Sequence, residues 1–327
     1  MEQRTLGHSG LSVSVIGLGT WQLGSDWGDV SEQDAYAVLE AAYEEGIRFF
    51  DTADVYGDGR SERLIGNFLR SNSITDVVVA TKAGRRVAQV PENYTLANLR
   101  KWTDRSRKNL GVDRLQLVQL HCPPSPVYES ERVFDALDVL VNEGLIENYG
   151  VSVEKRSEAL AAIDRPGVTS VQIILNMLRL GPLGEVLPAA VAADVGIIAR
   201  VPLASGLLSG RYDQTTTFAE NDHRNYNRKG EAFDVGETFS GVDFNVGLEA
   251  VDRLSRLTPE GATLAQFALR WIIDQPGVST VIPGARNKKQ ARLNARAADL
   301  DPLTEEQFER VAQIYADLIE PQVGDRW

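Results

Sequence analysis

The chain has 327 residues, of which 43% are hydrophobic and 24% are charged, and its formal net charge is −12. This composition is typical of a globular protein with enough apolar material for a large core. The acidic balance disfavours nucleic acid and anionic membranes as partners, since both select clustered Lys and Arg, and no apolar run approaches the roughly 18 residues of a membrane span.

Short apolar segments alternate with segments of helical periodicity along the chain. The apolar segments predict eight strands, near residues 13–18, 47–51, 77–82, 115–121, 146–152, 170–175, 196–201 and 280–283. The other segments predict eight helices, near residues 31–45, 61–70, 96–110, 131–143, 155–163, 183–193, 264–273 and 288–297. Eight β/α repeats indicate a closed (β/α)8 barrel, a TIM barrel, rather than an open sheet.

Two segments illustrate how the predicted helices and strands differ. In residues 131–143 the apolar side chains recur at spacings of three and four, which gives a helix one apolar face. Residues 77–80, Val-Val-Val-Ala, are apolar on both faces, as a parallel strand covered on both sides requires.

Three segments exceed a minimal barrel. Residues 4–11 predict a β-hairpin that closes the lower end of the barrel. Residues 206–247, a long loop after the seventh strand that is rich in Asn, Asp, Gly and Thr, are typical of a functional lid or a disordered segment. Residues 303–318 predict an extra C-terminal helix. Because the chain shows no linker or low-complexity segment, we expect residues 1–327 to form a single domain.

Polar residues stand where the predicted strands end. Asp51 ends the second strand, Lys82 the third and His121 the fourth, and Tyr56 follows in the loop after Asp51. Because barrel enzymes place their chemistry at the carboxyl ends of the strands, we expect these side chains to face one mouth. Each has a structural alternative: a buried ion pair, a hydrogen-bonded core histidine, or a packed aromatic ring. Their convergence favours a catalytic site, because buried charge is costly unless it has a use.

These residue types suit the reduction of a carbonyl group. A tyrosine hydroxyl has an unperturbed pKa of about 10, and a nearby Lys82 ammonium should lower the pKa of Tyr56. Asp51 can hold Lys82 charged, and His121 can hydrogen-bond the carbonyl oxygen. No side chain supplies a hydride, so a nicotinamide cofactor is implied.

The cysteine and histidine content argues against other kinds of site. The single cysteine, Cys122, allows no intramolecular disulfide and, with a polar N-terminal segment, predicts a cytoplasmic location. If the strand is still extended at Cys122, its side chain and that of His121 point to opposite faces, which disfavours a Cys–His nucleophile pair. The three histidines, His8, His121 and His223, show no metal-type spacing, so we expect no metal site.

Several segments resemble the motifs of the aldo-keto reductase superfamily. Residues 49–57, Phe-Phe-Asp-Thr-Ala-Asp-Val-Tyr-Gly, are similar to its signature, as are the Ala-Thr-Lys of residues 80–82 and parts of residues 110–121. The Leu-Gly-Thr-Trp of residues 18–21 and the Ile-Pro-Gly of residues 282–284 also look like family motifs. The resemblance implies a (β/α)8 barrel, NADPH as cofactor and reversible reduction of aldehydes and ketones. It also implies a catalytic tetrad of Asp51, Tyr56, Lys82 and His121.

The resemblance further implies a set of cofactor-binding positions. Ser152 and Gln172 match residues that hold the nicotinamide carboxamide, whereas Val153 stands where many members have Asn. Arg200 stands where many members stack an aromatic ring on the nicotinamide, and an arginine plane could stack there instead. The remaining positions are Gly19, Thr20, Trp21 and Asp51 near the first two strands, Pro202, Leu203, Ser205, Gly206 and Gly210 in a loop that wraps the pyrophosphate, and Gly284, Arg286, Gln290 and Asn294 after the last strand.

Residues 285–297 favour NADPH over NADH. They hold five basic residues and no acidic one, and they open a helix after the last strand, a place suited to an anion. Arg286 could grip a 2′-phosphate bidentately, and Gln290 and Asn294 match adenine-side positions of the superfamily. The alternative is a solvated basic helix face. In addition, Gly284 and Ala285 replace the Lys-Ser of some members.

Two other functions are compatible with the same residues. Lys82 at a strand end could form a Schiff base with a carbonyl compound, as in a lyase, although the nearby Asp51 argues against this by keeping the amine protonated. A cofactor-binding regulatory subunit with little turnover, similar to potassium-channel β subunits, is the alternative from a different class.

The substrate pocket of a reductase must come from loops at the mouth of the barrel. We expect it to include residues 21–27 with Trp27, Tyr94, residues 122–128, and the insertion with Tyr226 and Phe233. Their aromatic side chains favour a small-molecule aldehyde or ketone with an apolar part.

Overall fold

The chain begins with an antiparallel hairpin of strands β1 (Gln3–Thr5) and β2 (Ser12–Ser14). The structure is a computed structural model, and it describes residues 1–24, 30–220, 222–232, 234–324 and 326. Apart from the hairpin, its strands are β3 (Leu18–Gly19), β4 (Phe49–Asp51), β5 (Val78–Ala83), β6 (Leu115–His121), β7 (Ile146–Ser152), β8 (Val168–Ile174), β9 (Gly196–Arg200) and β10 (Val278–Val281).

The eight strands β3 to β10 form a parallel barrel. Each is hydrogen-bonded to the next in chain order, and parallel bridges from Ile16 to Val281 and from Gly19 to Gly284 join the first strand region to the last. Every residue of β5 and β8 is buried, because helices cover the outside of the sheet and side chains fill its interior. The predicted (β/α)8 barrel is confirmed.

Helices follow the barrel strands and cover them. The helices are α1 (Glu32–Glu44), α2 (Arg60–Ser71), α3 (Leu96–Leu110), α4 (Glu131–Asn142), α5 (Arg156–Ile163), α6 (Val186–Ala192), α7 (His223–Tyr226), α8 (Phe244–Ser255), α9 (Leu264–Ile273), α10 (Lys288–Ala295), α11 (Glu305–Ile314) and α12 (Glu320–Val323). Helices α1 to α6, α9 and α10 each follow one barrel strand. Thr263 and Gln266 form a capping box that begins α9, and Gly111, in the left-handed region, ends α3. Of the helices in the described ranges, none is both long and apolar enough to cross a membrane.

The hairpin fills the lower end of the barrel. Leu6 and Val13 are fully buried there, in one apolar cluster with Phe49 at the start of β4. Gly7 is required where the hairpin crosses the barrel floor, because φ is +52° and a Cβ atom here would lie 2.4 Å from the backbone nitrogen of Gly196. The hairpin predicted at this position is therefore present as an interior plug.

The predicted first strand, residues 13–18, is divided in the structure. Its start belongs to β2, whereas the barrel strand β3 is confined to Leu18–Gly19. At the end of β2, Ser14 Oγ donates to the Ile16 carbonyl at 2.7 Å and accepts the Arg48 N–H at 2.8 Å. On the side facing β4, side-chain hydrogen bonds therefore replace the ladder, whereas Ile16 still bridges Val281 of β10 on the other side. Periodicity could not locate this division, because apolar residues recur on both sides of it. The other predicted strands and helices of the barrel are present, with ends displaced by a few residues.

The insertion predicted at residues 206–247 is folded over its described part. It contains α7 and 3₁₀ turns at Val235–Glu237 and Phe239–Gly241, and it runs into α8, a helix that the sequence analysis did not predict. The rings of Phe218, Phe239 and Phe244 pack against one another with centroids 5.2–6.1 Å apart. The predicted C-terminal helix is present as α11, which continues through a π-helical turn into α12 and packs against α8.

Candidate active site

A cavity of about 700 Å³ opens at the carboxyl ends of the barrel strands. The four predicted catalytic side chains line it, and so do all the predicted cofactor-binding residues except Gly210. The predicted cofactor-binding residues that line it are Gly19, Thr20, Trp21, Asp51, Ser152, Gln172, Arg200, Pro202, Leu203, Ser205, Gly206, Gly284, Arg286, Gln290 and Asn294. Gly210 instead ends the 3₁₀ turn Ala204–Ser209 with φ of +67°.

Lys82 connects the predicted tetrad. Its Nζ donates hydrogen bonds to Oδ1 of Asp51, to the Thr52 carbonyl at 2.9 Å and to the Tyr56 hydroxyl at 3.3 Å. Lys82 and Asp51 are almost completely buried, with side-chain exposures of 1% and 3%. Because the three groups come from β4, β5 and the loop after β4, the barrel itself sets their spacing.

The second Asp51 oxygen is held by two glutamines. Oδ2 accepts a hydrogen bond from Nε2 of Gln172 at 2.8 Å and from Nε2 of Gln119 at 3.2 Å. Gln172, predicted as a nicotinamide ligand, thus orients Asp51 in this structure. The sequence analysis missed Gln119, although it lies two residues before His121 on β6 and therefore on the same face of the strand.

Tyr56 is placed by aromatic contacts and by a tight turn. Its ring stacks on Trp21 with centroids 6.1 Å apart and meets the edge of His121 at 6.0 Å. Gly57, at φ of +56°, follows it, and a Cβ atom there would lie 2.2 Å from the Gly24 carbonyl oxygen. A side chain at residue 57 would therefore displace the loop that carries Tyr56.

The protonation states follow from burial and from the neighbouring charges. Desolvation raises the pKa of Tyr56 above its usual value and outweighs the Lys82 ammonium, which acts to lower it. The predicted net decrease of the pKa of Tyr56 is therefore wrong in direction, although the influence of Lys82 has the predicted sign. Burial acts to lower the pKa of Lys82, but the Asp51 carboxylate and then Tyr56 raise it above its usual value. A Schiff-base nucleophile needs a neutral amine, so this environment argues against the lyase alternative.

His121 is neutral at neutral pH. Burial, and after it the charges of Arg85, Lys82 and Arg200, hold the pKa of His121 well below its usual value. Nδ1 of His121 is buried without a hydrogen-bond partner among the described residues. A neutral imidazole here can hydrogen-bond a ligand without itself carrying charge into the cavity.

Cys122 lies outside β6 and makes its own contacts. Its φ is +44°, so the chain is no longer extended, and both Cys122 and His121 line the cavity. The thiol donates to Ser152 Oγ at 3.4 Å, and burial raises the pKa of Cys122. A neutral thiol whose hydrogen bond goes to Ser152 is unsuited to a Cys–His nucleophile pair.

Arg200, at the end of β9, forms an ion pair with Glu237 that the sequence analysis did not predict. Nη1 donates to Glu237 Oε1, and Nη2 donates to the Val153 carbonyl at 3.0 Å. Both side chains are nearly buried, with exposures of 8% and 11%, and both line the cavity. The insertion after β9 thus brings a carboxylate to the end of the cavity that holds the tetrad.

The loop after β9 has an uncommon backbone. Val201, Ala204 and Ser205 have φ values of +52°, +46° and +55°, and Gly206 follows at +96°. Non-glycine residues rarely adopt this left-handed conformation, and such strain is concentrated at functional sites. Successive turns of this kind also aim backbone N–H groups into concave surfaces that bind anions.

The basic segment after β10 divides into two parts. Arg292 pairs with Glu44 at 2.8 Å and Arg296 with Glu45 at 3.5 Å, so these two arginines belong to a packed face against α1. Arg286 instead lines the cavity, and its backbone N–H donates to Gln290 Oε1 at 2.8 Å. Within the described ranges, no group of three or more His, Cys, Asp or Glu side chains is arranged to hold a metal ion.

The predicted substrate loops contribute unequally to the cavity. Trp21 and Cys122 line it, whereas Tyr94 is completely buried against Trp102 outside the lining, and Tyr226 is 40% exposed and also outside it. The predicted contributors Trp27 and Phe233 lie outside the described residues. Arg85, which was not predicted, lines the same end of the cavity and donates from Nε to the His121 carbonyl at 3.2 Å.

Comparisons with known proteins give consistent matches across the chain. The model of the aldo/keto reductase family matches residues 15–316. Aldo-keto reductase YhdN of Bacillus subtilis is 30% identical over 299 residues, which cover 89% of this chain and 86% of that protein. A probable voltage-gated potassium channel subunit beta of Arabidopsis thaliana is 30% identical over 320 residues, which cover 93% of each chain. The structure of the glycerol dehydrogenase AKR11B4 from Gluconobacter oxydans is similar with a TM-score of 0.81 and 28% identity, over 97% of this chain and 96% of that one.

Proposed function

Because this chain belongs to the aldo/keto reductase family, we propose that it is an NADPH-dependent oxidoreductase that reduces aldehydes or ketones to alcohols. The observation that supports this most directly is the chain of contacts from Asp51 through Lys82 to the Tyr56 hydroxyl, beside a neutral His121. This arrangement is suited to the transfer of one proton to a carbonyl oxygen.

The roles of the four side chains follow from their protonation states. The protonated Tyr56 gives its proton to the oxygen of the carbonyl group as that oxygen gains negative charge. Lys82 stabilises the resulting phenolate at 3.3 Å, and Asp51 keeps Lys82 charged and oriented. The neutral His121 hydrogen-bonds the same oxygen and positions the carbonyl group. NADPH, when bound, supplies the hydride for the carbonyl carbon.

The cavity residues fit a long anionic cofactor. Ser152, Gln172 and Arg200 would hold the nicotinamide end near the tetrad. The left-handed loop at Pro202, Leu203, Ser205 and Gly206 would bind the pyrophosphate through backbone N–H groups. Arg286 with Gln290 and Asn294 would hold the adenosine end and its 2′-phosphate, which is the basis for proposing NADPH rather than NADH.

A second candidate is supported by one of the relatives. The similarity to a probable potassium channel subunit beta leaves room for a cofactor-binding regulatory subunit with little turnover. The two candidates share cofactor binding and differ in catalysis, so one experiment can separate them.

The experiment is a titration of the purified chain with NADPH, followed by fluorescence, and then NADPH consumption with a panel of aldehydes and ketones. Saturable binding with turnover is the result expected for the reductase. Saturable binding with turnover close to the uncatalysed rate for every compound would favour the regulatory subunit. If neither NADPH nor NADH bound, both candidates would be wrong.

A further inference from the structure

The Arg200–Glu237 ion pair belongs to a cluster of charges, because Arg85 and Arg179 also act electrostatically on Glu237. Each other cation near it has its own carboxylate: Arg85 pairs with Glu154 at 2.9 Å, Arg179 lies 3.7 Å from Asp234, and Lys82 pairs with Asp51. Among the described residues, Glu237 is the carboxylate that forms an ion pair with Arg200, and it acts on Arg200 more strongly than Glu154 does. Nε of Arg200 is buried without a hydrogen-bond partner in the described part of the chain.

The position of Glu237 is set by the insertion and by the loop after β9. Its backbone N–H donates to the Asp234 carbonyl at 3.0 Å, and its own carbonyl accepts the Ser205 hydroxyl at 2.5 Å. Ser205 Oγ in turn accepts the N–H of Phe239 at 3.2 Å. Glu237 is therefore held from both sides, and its carboxylate has little freedom to leave Arg200.

A bound nicotinamide ring would lie close to this pair. Hydride transfer to a carbonyl group held at Tyr56 and His121 would need the two reacting carbons within about 3–3.5 Å of each other, which would confine the ring to the same end of the cavity. Arg200 belongs to that end, because its Nη2 lies 3.9 Å from Cys122 Sγ, the residue next to His121. Arg200 and Glu237 both line the cavity there.

The two oxidation states of the cofactor differ in charge at this ring. The nicotinamide of NADP⁺ carries a positive charge, and that of NADPH is neutral. An unbalanced arginine beside the ring in a site of low dielectric constant would repel the oxidised form and leave the reduced form nearly unaffected. An arginine balanced by a carboxylate presents little net charge to either form.

We propose that Glu237 is a positioning residue that neutralises Arg200 beside the nicotinamide and thereby sets the affinity of the site for NADP⁺ relative to NADPH. This inference rests on the proposed function. The insertion after β9 would then influence the ratio of the affinities for NADP⁺ and NADPH, in addition to forming the cavity wall.

The test compares dissociation constants of the purified full chain for NADPH and NADP⁺, the first from cofactor fluorescence and the second from displacement of NADPH. In Glu237→Gln the ratio of the NADP⁺ constant to the NADPH constant should rise about tenfold, which corresponds to about 1.4 kcal/mol. Glu231→Gln is the matched control, because it makes the same change at an exposed residue of the same insertion, whose carboxylate accepts the Lys229 N–H at 2.8 Å, and its ratio should stay within about twofold of wild type.

A second variant distinguishes two possible roles of Glu237: neutralising the charge of Arg200, and holding the insertion in place. The double variant Glu237→Gln with Arg200→Gln removes both charges, and its ratio should return to within about threefold of wild type even if both affinities fall. If Glu237→Gln weakened the binding of both forms equally, or if Glu231→Gln raised the ratio as much, the charge of Glu237 would not set the ratio and the inference would be overturned. If the wild-type chain bound neither form, the proposed function would fail and this inference with it.

Discussion

Tyr56 sits between the Lys82 ammonium and the Trp21 ring, and its hydroxyl is the proposed acid. We expect Tyr56→Phe to bind NADPH within about threefold of wild type, since the ring remains, and to lose roughly 10²–10⁴-fold in turnover. Fluorescence titration and NADPH consumption measure the two quantities. Tyr94→Phe removes a hydroxyl that bonds Gln89 outside the cavity lining, and its turnover should not change. Turnover of Tyr56→Phe within a few-fold of wild type would remove Tyr56 as the acid.

Asp54 carries a different kind of consequence, for stability. It is completely buried, neither carboxylate oxygen has a partner among the described residues, and burial, with the nearby Glu62, raises its pKa from 3.8 to about 7. The unfolded carboxyl ionises above pH 3.8, whereas the folded one stays protonated up to about pH 7. The free energy of unfolding therefore falls as the pH rises between these two values, and the loss is complete above pH 7.

We therefore expect Asp54→Asn to stabilise the fold more at pH 8.5 than at pH 5, with a difference on the order of 1–3 kcal/mol. Urea unfolding at the two pH values measures it. Asp58→Asn, in the same loop, is the contrasting variant. The Arg86 hydrogen bond and charge lower the pKa of the exposed Asp58, so its ionised form favours folding and its replacement should not stabilise the fold at pH 8.5. An equal gain for Asp54→Asn at both pH values would show that ionisation of Asp54 is not the cause.

Arg286 tests the preference for the phosphorylated cofactor. We expect Arg286→Ala to weaken NADPH binding by roughly 10-fold or more while changing NADH binding little, because only NADPH carries the 2′-phosphate that a guanidinium can grip. Dissociation constants for both cofactors from fluorescence give the comparison. Arg292→Ala removes the same charge from a residue paired with Glu44 on α1, and it should affect neither constant. Equal losses of both cofactors in Arg286→Ala would contradict the assignment.

At the scale of elements, the hairpin should contribute to stability because its apolar side chains fill the floor of the barrel. Leu6 is fully buried inside the lower end of the barrel. We expect Leu6→Ala to reduce the free energy of unfolding by about 2–5 kcal/mol, since the rigid barrel floor cannot collapse onto the cavity. Val191→Ala, at a residue that is 57% exposed, should change it by less than about 0.5 kcal/mol. Denaturant unfolding decides, and a loss below about 1 kcal/mol for Leu6→Ala would mean that the plug contributes little.

The elements that could be predicted are those with a regular period. The barrel helices and strands have it, and so does the C-terminal helix. Helix α8 also has buried residues at spacings of three and four, Ala250, Val251 and Leu254, but it begins inside the segment that was predicted as an irregular polar insertion. The division of the first strand depends instead on hydrogen bonds of the Ser14 side chain, which no apolar pattern reports.

At the scale of the molecule, the site could be predicted as far as the barrel brings strand ends together. Asp51 and His121 each end a strand, and Lys82 lies one residue before the end of another, so a prediction of eight parallel strands already predicts their meeting. Glu237 could not be found in this way, because its contact with Arg200 depends on the path of a long insertion. The direction in which the pKa of Tyr56 shifts could not be predicted either, because it depends on how far the folded cavity removes the hydroxyl from water.

The plugged lower end of the barrel has a kinetic consequence. In the described part of the chain, Leu6 and Val13 fill the floor, so under the proposed function the cofactor and the carbonyl compound would share the mouth at the upper end. Two reactants that use one entrance cannot exchange independently, and the one held by the longer set of contacts enters first and leaves last. Steady-state kinetics should then follow a compulsory order, with NADP⁺ inhibiting competitively against NADPH and the alcohol product inhibiting noncompetitively.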